Sequence, residues 1–300
     1  IDVLLESIAA QTVPPDEVVI ADGGSTDATR QVLGDWSTRL PLKVIDAPGT
    51  NISTGRNRAV RASTAEVIAV TDAGVRLDRE WLARLCEAMT PETDVVSGFF
   101  RADPLTMFER ALGATTLPDV EDVKPRSFLP SSRSVMFRRR AWECVGGYPE
   151  WLDYCEDLVF DLALRRRGCR FAFAPLAVAW FRPRASLRAF FRQYYLYARG
   201  DGKAGLWGRR HLIRYATYLS AAFVLARGRR WAWLLVLGAL AYTRRPYARL
   251  KSQKSSFAED ILTIGLVPVI RLTGDGAKML GYPVGICWRV RKAWTSPSSS

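Results

Sequence analysis

Residues Glu66–Asp78 read EVIAVTDAGVRLD. Val67, Ile68, Ala69 and Val70 form a short apolar run rich in β-branched residues, which predicts a buried parallel strand. The run stops at Asp72-Ala73-Gly74, so a carboxylate stands at the strand's C-terminal edge beside flexible backbone. In open α/β sheets ligands bind at that edge. The residues that follow predict a helix with Asp78 as N-cap and Trp81, Leu82, Leu85 and Met89 on its inner face. Taken alone, Asp72 is either an ordinary turn residue or a site residue. The flanking sequence has to decide.

Upstream, Glu17–Ala21 (EVVIA) predicts a strand that runs into Asp22-Gly23-Gly24-Ser25-Thr26-Asp27, with Ser25 placed to cap a helix from Asp27 to about Trp36. Glycines before a helix N-terminus leave backbone N–H groups free for a phosphate or a flat ring, although Asp-Gly-Gly is also a common turn. Leu42–Asp46 predicts a third strand. In PGTNISTGRNRAV, which follows, Ser53 is placed to cap a helix whose first turns carry Arg56, Asn57 and Arg58. These side chains either face an anionic ligand at the same sheet edge or form a solvated helix face. Strand, acid, helix thus occurs twice, at Asp22 and at Asp72. That pattern predicts the nucleotide-binding half of a parallel α/β sheet, without the GxGxxG dinucleotide signature.

Downstream of Asp94–Gly98 lies a stretch of weak pattern, Arg101–Pro130, expected to cover the site. Ser131–Phe137 predicts a strand and Glu143–Pro149 (ECVGGYP) a Gly-rich turn. Trp151–Asp157 leads into a helix ending at Gly168, with Leu158, Val159, Leu162 and Leu164 apolar. Asp153 and Glu156 have capping-box spacing, which gives Glu156 a structural role. Asp157 is not needed for capping. Near a helix N-terminus its carboxylate is held ionised, as a general base requires, or it is a surface acid.

Composition narrows the classes. A 48% hydrophobic content over 300 residues supports a sizeable core in one or two domains. The five scattered cysteines show no CxxC spacing and predict reduced thiols, with neither a disulfide framework nor a zinc site. The single histidine, His211, excludes a His-rich metal site and disfavours a His-dependent triad. The net charge of +13 is concentrated between Arg165 and Lys254, where arginines alternate with aromatics. Such a stripe suits nucleic acid or an anionic membrane surface.

In order and spacing, DGGSTD, GRN, the strand ending TDAG, the Gly-Gly-Tyr turn and CED together resemble the family-2 glycosyltransferases with the GT-A fold, over roughly residues 1–205. The resemblance implies an inverting transferase that uses a nucleotide-diphosphate sugar and a divalent metal, Mg²⁺ or Mn²⁺. It implies Asp22, with Gly24 and Ser25, at the nucleotide. Arg56 and Asn57 would lie near the diphosphate or donor sugar. Asp72 would be the first acid of the DxD metal motif, and Asp157, beside Glu156, the base acting on the acceptor hydroxyl. The third DxD position is Gly74, so a single carboxylate is offered to the metal, which would lean on the diphosphate and water. The family's first strand is not seen before Ile1, which gives the sequence the look of an N-terminally truncated fragment. Where the polymer synthases of the family carry QxxRW, this chain has Gln193 and Arg199 at a different spacing, carried over to the acceptor side.

The C-terminal third has two apolar runs, Leu212–Ala226 and Trp231–Thr243, each short of the ~20 residues a spanning helix needs. A third, Ile261–Leu272, is expected to break at Pro268. They form a short hairpin across the bilayer, helices lying on its cytosolic surface, or a buried soluble hairpin. The expected architecture is a GT-A α/β catalytic domain over 1–205, with a mostly parallel Rossmann-like sheet flanked by helices. A membrane-associated helical region over 206–292 and a disordered tail over 293–300 follow. The expected activity is sugar transfer to a lipid-linked or glycan acceptor at the cytoplasmic face of the cell membrane. A sugar-phosphate nucleotidyltransferase, a basic nucleic-acid-binding protein and a non-catalytic relative are the alternatives.

Overall fold

The structure, a computed structural model, describes residues 1–251 and 257–295. The chain folds as two compact units. The first takes residues 1–103 and 120–182, the second 104–119 and the chain from Pro183 onward.

The first unit contains helices α1 (Asp2–Ala9), α2 (Thr29–Trp36), α3 (Ile52–Ala62) and α4 (Trp81–Ala88) and strands β1 (Val18–Asp22), β2 (Leu42–Asp46), β3 (Val67–Val70), β4 (Val75–Leu77) and β5 (Val95–Ala102). After α5 (Met107–Thr116), which belongs to the second unit, it continues with β6 (Val135–Arg138), α6 (Arg139–Cys144), α7 (Glu156–Arg166) and β7 (Phe171–Phe181). β1 and β2 pair in parallel, from Val18 opposite Leu42 to Asp22 opposite Asp46. The other strands form a second sheet in the order β3-β6-β5-β7-β4.

Only β5–β7 is parallel in that sheet, so the expected mostly parallel sheet is in fact mixed. β3 runs antiparallel to β6 and is half-buried along its whole length. Its apolar run predicted a buried parallel strand because periodicity reports burial, not strand direction. β1 and β3 each keep one edge without a ladder partner among the described residues.

Gly74 does not lead directly into a helix. β4 intervenes and pairs with β7, burying Val75 and Leu77. Asp78 is not the N-cap of α4, a position held by Glu80; the Asp78 carboxylate accepts the Glu80 N–H instead. Trp81, Leu82 and Leu85 are buried as expected. With Leu4, Val96 and Met136 they form the main core. Gln11 fastens α1 to this layer: its amide donates to the Ser7 and Asp78 carbonyls and accepts from the Leu82 N–H.

The second unit is helical: α5, α8 (Leu187–Ala204), α9 (Gly208–Ala226), α10 (Ala232–Lys251) and α11 (Phe257–Thr295). Arg101–Pro130 is therefore not patternless, since it supplies α5, capped by Thr106, with Ala111 and Leu112 packed on Phe190 and Ile270. α11 runs 39 residues with Pro268 and Pro283 inside it, so the expected break at Pro268 does not occur. A β-carbon on Gly281 or Gly285 would lie 2.1 Å from a carbonyl oxygen of α8, and one on Gly202 2.3 Å from a carbonyl oxygen of α11. α8 and α11 thus cross backbone to backbone. No helix among the described residues is long and apolar enough to cross a membrane, which leaves the bilayer-spanning hairpin without support. α11 extends to Thr295, and Ser298–Ser300 lie outside the described residues.

Candidate active site

Arg56 is the hub of the site. α3 is capped by Asn51, whose side-chain oxygen accepts the Thr54 N–H at 2.9 Å. Ser53, expected as the cap, lies inside the helix, fully buried, and donates to the Leu152 carbonyl. This start aims Arg56 inward, leaving only 11% of its side chain exposed. One nitrogen donates to Asp72 and another to Glu156, each at 2.6 Å, and the guanidinium lies 5.3 Å from the Tyr148 ring centre. Burial works against its charge, but Asp72, Tyr148, Glu156 and Asp157 together raise its pKa further. The second Asp72 oxygen is 3.9 Å from Arg133 Nε. The Thr71 hydroxyl donates to the Arg133 carbonyl, tying the end of β3 to the start of β6.

α7 brings the acids. Cys155, with φ of 65°, turns the chain into the helix and holds the N-cap position. The expected Asp153–Glu156 capping box therefore does not form. Glu156 is instead the first helical residue, buried and paired with Arg56. Burial and then the neighbouring Asp157 push its pKa up, against the pull of Arg56. Asp157 is half-buried and accepts the Leu158 N–H at 2.8 Å. One turn on, Asp161 is buried with one carboxyl oxygen lacking a hydrogen-bond partner. Burial first, then Asp157, raises its pKa well above the usual carboxylate range.

The Gly-Gly-Tyr turn is held by Asn57. Its amide nitrogen donates to the Tyr148 carbonyl and to Glu150, while its oxygen accepts from Trp142 Nε1 and the Tyr148 N–H. All four hydrogen-bonding positions are thereby used. The Tyr148 ring stacks on Phe160 at 4.2 Å, and its hydroxyl accepts from Ser132. Tyr148, Arg133 and Asp161 escaped sequence reasoning. Tyr148 was legible only as a turn residue, and nothing local marked the other two.

Asp22 is buried at the end of β1. One oxygen accepts from the Ser25 N–H and hydroxyl at 2.9 and 2.6 Å, and the other from Arg30 Nε at 2.8 Å. These bonds, Ser25 foremost, lower its pKa to about 2. Ser25 therefore closes the DGGS loop and does not cap α2, whose N-cap is Ala28. Gly24, at φ +100°, makes the left-handed turn in that loop.

Gln193 and Arg199 lie on α8, in the other unit. The Gln193 amide donates to the Tyr197 hydroxyl, and the Arg199 backbone is packed against Gly281 and Gly285.

Residues 1–142 match the family described as Glycosyl transferase family 2. Over residues 1–142 the chain carries a glycosyl transferase family 2 domain. It is 30% identical over 223 residues, 68% of this chain and 65% of the relative, to the succinoglycan biosynthesis protein ExoA of Rhizobium meliloti. It is 24% identical over 213 residues, 64% of this chain and 65% of the relative, to the O-antigen chain rhamnosyltransferase RfbN of Salmonella typhimurium. The chain thus spans about 65% of the length of these relatives. A mannosyltransferase from Pyrobaculum calidifontis, PcManGT, solved with GDP-Man and Mn²⁺, superposes with a TM-score of 0.54 at 21% identity, over 97% of this chain and 82% of that one. The likeness shows a GT-A-like fold.

Among the described residues no three His, Cys, Asp or Glu side chains converge to hold a metal. Asp72, with 28% of its side chain exposed at the strand tip, is the single carboxylate available there. Mg²⁺ is commonly held by one or two carboxylates plus substrate phosphates and water. The donor set fits such an ion at that minimum.

Proposed function

We propose that this chain moves a sugar from a nucleotide-diphosphate sugar to an acceptor hydroxyl, with inversion, in building a cell-envelope polysaccharide on a lipid-linked or glycan acceptor. The observation that carries this reading is Arg56 joining Asp72 at the strand end to Glu156 at the head of α7, beside Asp157. The names of the two curated relatives support the polysaccharide assignment.

Asp157, less buried than Glu156, takes the proton of the acceptor hydroxyl as its oxygen bonds to the anomeric carbon and the bond to the diphosphate breaks. Arg56, fixed by two carboxylates, and Arg133 supply positive charge where the leaving group develops negative charge. Asp72 would hold a divalent ion together with the donor's phosphate oxygens, and that ion would neutralise the departing diphosphate. The DGGS loop, shaped by Asp22, Gly24 and Ser25, receives the nucleotide. Asn57 acts by holding Tyr148 beneath Arg56. Gln193 and Arg199 are assigned to the acceptor side. The exposed apolar residues of α9–α11 rest on the cytosolic membrane surface.

The test is turnover and donor binding measured side by side. Asp157→Asn should lower turnover by at least ~10²-fold with donor affinity nearly unchanged. An equal loss of donor affinity would remove Asp157 from the base role. Asp72→Ala should abolish the chelator-sensitive part of donor binding. Binding that is the same with and without chelator in the unmutated protein would overturn the metal assignment.

A further inference from the structure

The helices of the second unit enclose a charged cluster that the catalytic proposal does not use. At its centre is Asp275 of α11, buried, accepting from Arg214 Nε at 2.8 Å and from the hydroxyls of Tyr218 and Tyr242 at 3.0 and 2.7 Å. His211, also buried, stacks on Tyr282 at 3.7 Å between ring centres. Its Nδ1 lies 3.2 Å from an Arg214 nitrogen and its Nε2 3.4 Å from Asp201. Arg214 can only donate, so Nδ1 accepts and Nε2 faces Asp201.

The charges do not balance. Lys278 feels the charges of Arg214 and Arg271 on one side and of Asp275 and Asp201 on the other. Three cations thus face two carboxylates. Arg271 lays its guanidinium over the Tyr242 ring at 4.4 Å and keeps a buried Nε with no hydrogen-bond partner. The Lys278 ammonium sits 4.7 Å from the Tyr194 ring centre, with no carboxylate at ion-pair distance among the described residues. Burial, then crowding by Arg214, pulls its pKa down to about 8. Arg271 and Lys278 are half-buried, and a partly desolvated cation without an anion at ion-pair distance is costly, so the cluster gains by admitting one.

We propose that Arg271 and Lys278, with Arg214 behind them, form a phosphate-binding site in the helical unit. A guanidinium with a free N–H beside a compact ammonium is the pairing that suits phosphate oxygens. Tyr242 is 44% exposed while its hydroxyl reaches Asp275, so the cluster lies one side chain from solvent. Leu272 and Leu280 of α11, both exposed, flank the two cations in sequence and offer an apolar surface to a ligand that carries a hydrocarbon chain beside its phosphate. The site is independent of the catalytic reading and stands or falls without it.

The experiment uses the full chain. Thermal unfolding in inorganic phosphate is compared with chloride at matched ionic strength, and flotation is measured on phosphatidylcholine vesicles with and without phosphatidic acid. The unmutated protein should show a saturable rise in unfolding midpoint of roughly 2–4 °C in phosphate. Lys278→Met should unfold no lower than the unmutated protein in chloride, because it removes a crowded cation, and should lose the phosphate increment. Arg271→Gln, read by equilibrium dialysis of labelled phosphate, serves as the second variant. A phosphate increment with flotation that does not depend on Lys278 points to a soluble phosphate. Flotation on phosphatidic acid that does depend on Lys278 points to a lipid headgroup. If neither phosphate nor phosphatidic acid distinguishes the unmutated chain from the two variants, the site does not exist.

Discussion

Asp161 shows at the scale of one residue what burial does to an acid. Its carboxyl is raised well above its ordinary pKa, so the folded state holds a proton there that the unfolded chain releases. That contribution is intact below the unfolded value, about 3.9, and is lost progressively as pH rises toward the folded one. Asp161→Asn should therefore raise stability at neutral pH, because the neutral amide needs no proton bound on folding, and flatten this loss in urea titrations across pH. An unchanged or lower denaturation midpoint would show that the lone oxygen has a partner that matters. Asp22, Asp72 and Asp157, the acids proposed for the site, were picked out because each stands at or just past a strand end or at a helix start, and the structure has them at those positions. The assignments of Ser25 and Ser53 as caps failed on backbone geometry. A hydroxyl near a helix start caps only if its own backbone is at the boundary, and Ala28 and Asn51 hold those positions.

Among the elements, the turn between α6 and α7 combines a left-handed backbone with close neighbours. Gly147 has φ +81°, and a β-carbon there would lie 2.6 Å from the Asn57 oxygen and 2.8 Å from Trp142 Nε1. Gly147→Ala adds left-handed strain to that collision. It should destabilise the protein by roughly 1–3 kcal/mol and loosen Tyr148 beneath Arg56. Denaturation together with near-ultraviolet dichroism reads both effects, and a neutral outcome would mean that the turn is not held as described. β7 was missed for a reason visible in its sequence: Pro175 sits inside it and cannot donate to a ladder. The pairing with β5 accommodates the interruption by shifting register between Ser97 and Phe99. Gly98 sits at that shift, where a β-carbon would collide with Ser134 Oγ and the Ala177 carbonyl. Periodicity sees neither device, because both depend on the neighbouring strand.

At the scale of the whole molecule, charge and apolar exposure coincide. The chain carries +13, and α9 and α10 leave Leu212, Ile213, Leu219, Phe223, Leu234 and Leu237 exposed. Burying such side chains gains roughly 1.5–3 kcal/mol for each one fully removed from water. Arginines near anionic headgroups add about 1 kcal/mol each. The full chain should therefore float with anionic phospholipid vesicles at low salt and be only partly released by high salt, because screening weakens the charge contribution alone. Complete release by salt would leave no role for the apolar faces, and failure to bind at low salt would refute membrane contact. The membership of the second unit was not legible in sequence. α5 is far from α11 along the chain, and packing of Ala111 and Leu112 on Ile270 and of Ala114 on Leu250 and Val267 assigns it there.

The glycine crossing of α8 and α11 also limits how that unit can move. Packed helices commonly adjust by sliding past each other in small shear steps. With Gly202, Gly281 and Gly285 already against opposing backbone, the crossing leaves no slack for such axial steps. Shear is thereby closed to this pair. Pro283 lies between Gly281 and Gly285, inside the crossing, so the remaining freedom is bending at Pro268, where α11 lacks a hydrogen bond that stiffens a helix. Any rearrangement of α11 against α8 is then a hinge on one side of a crossing that cannot slip.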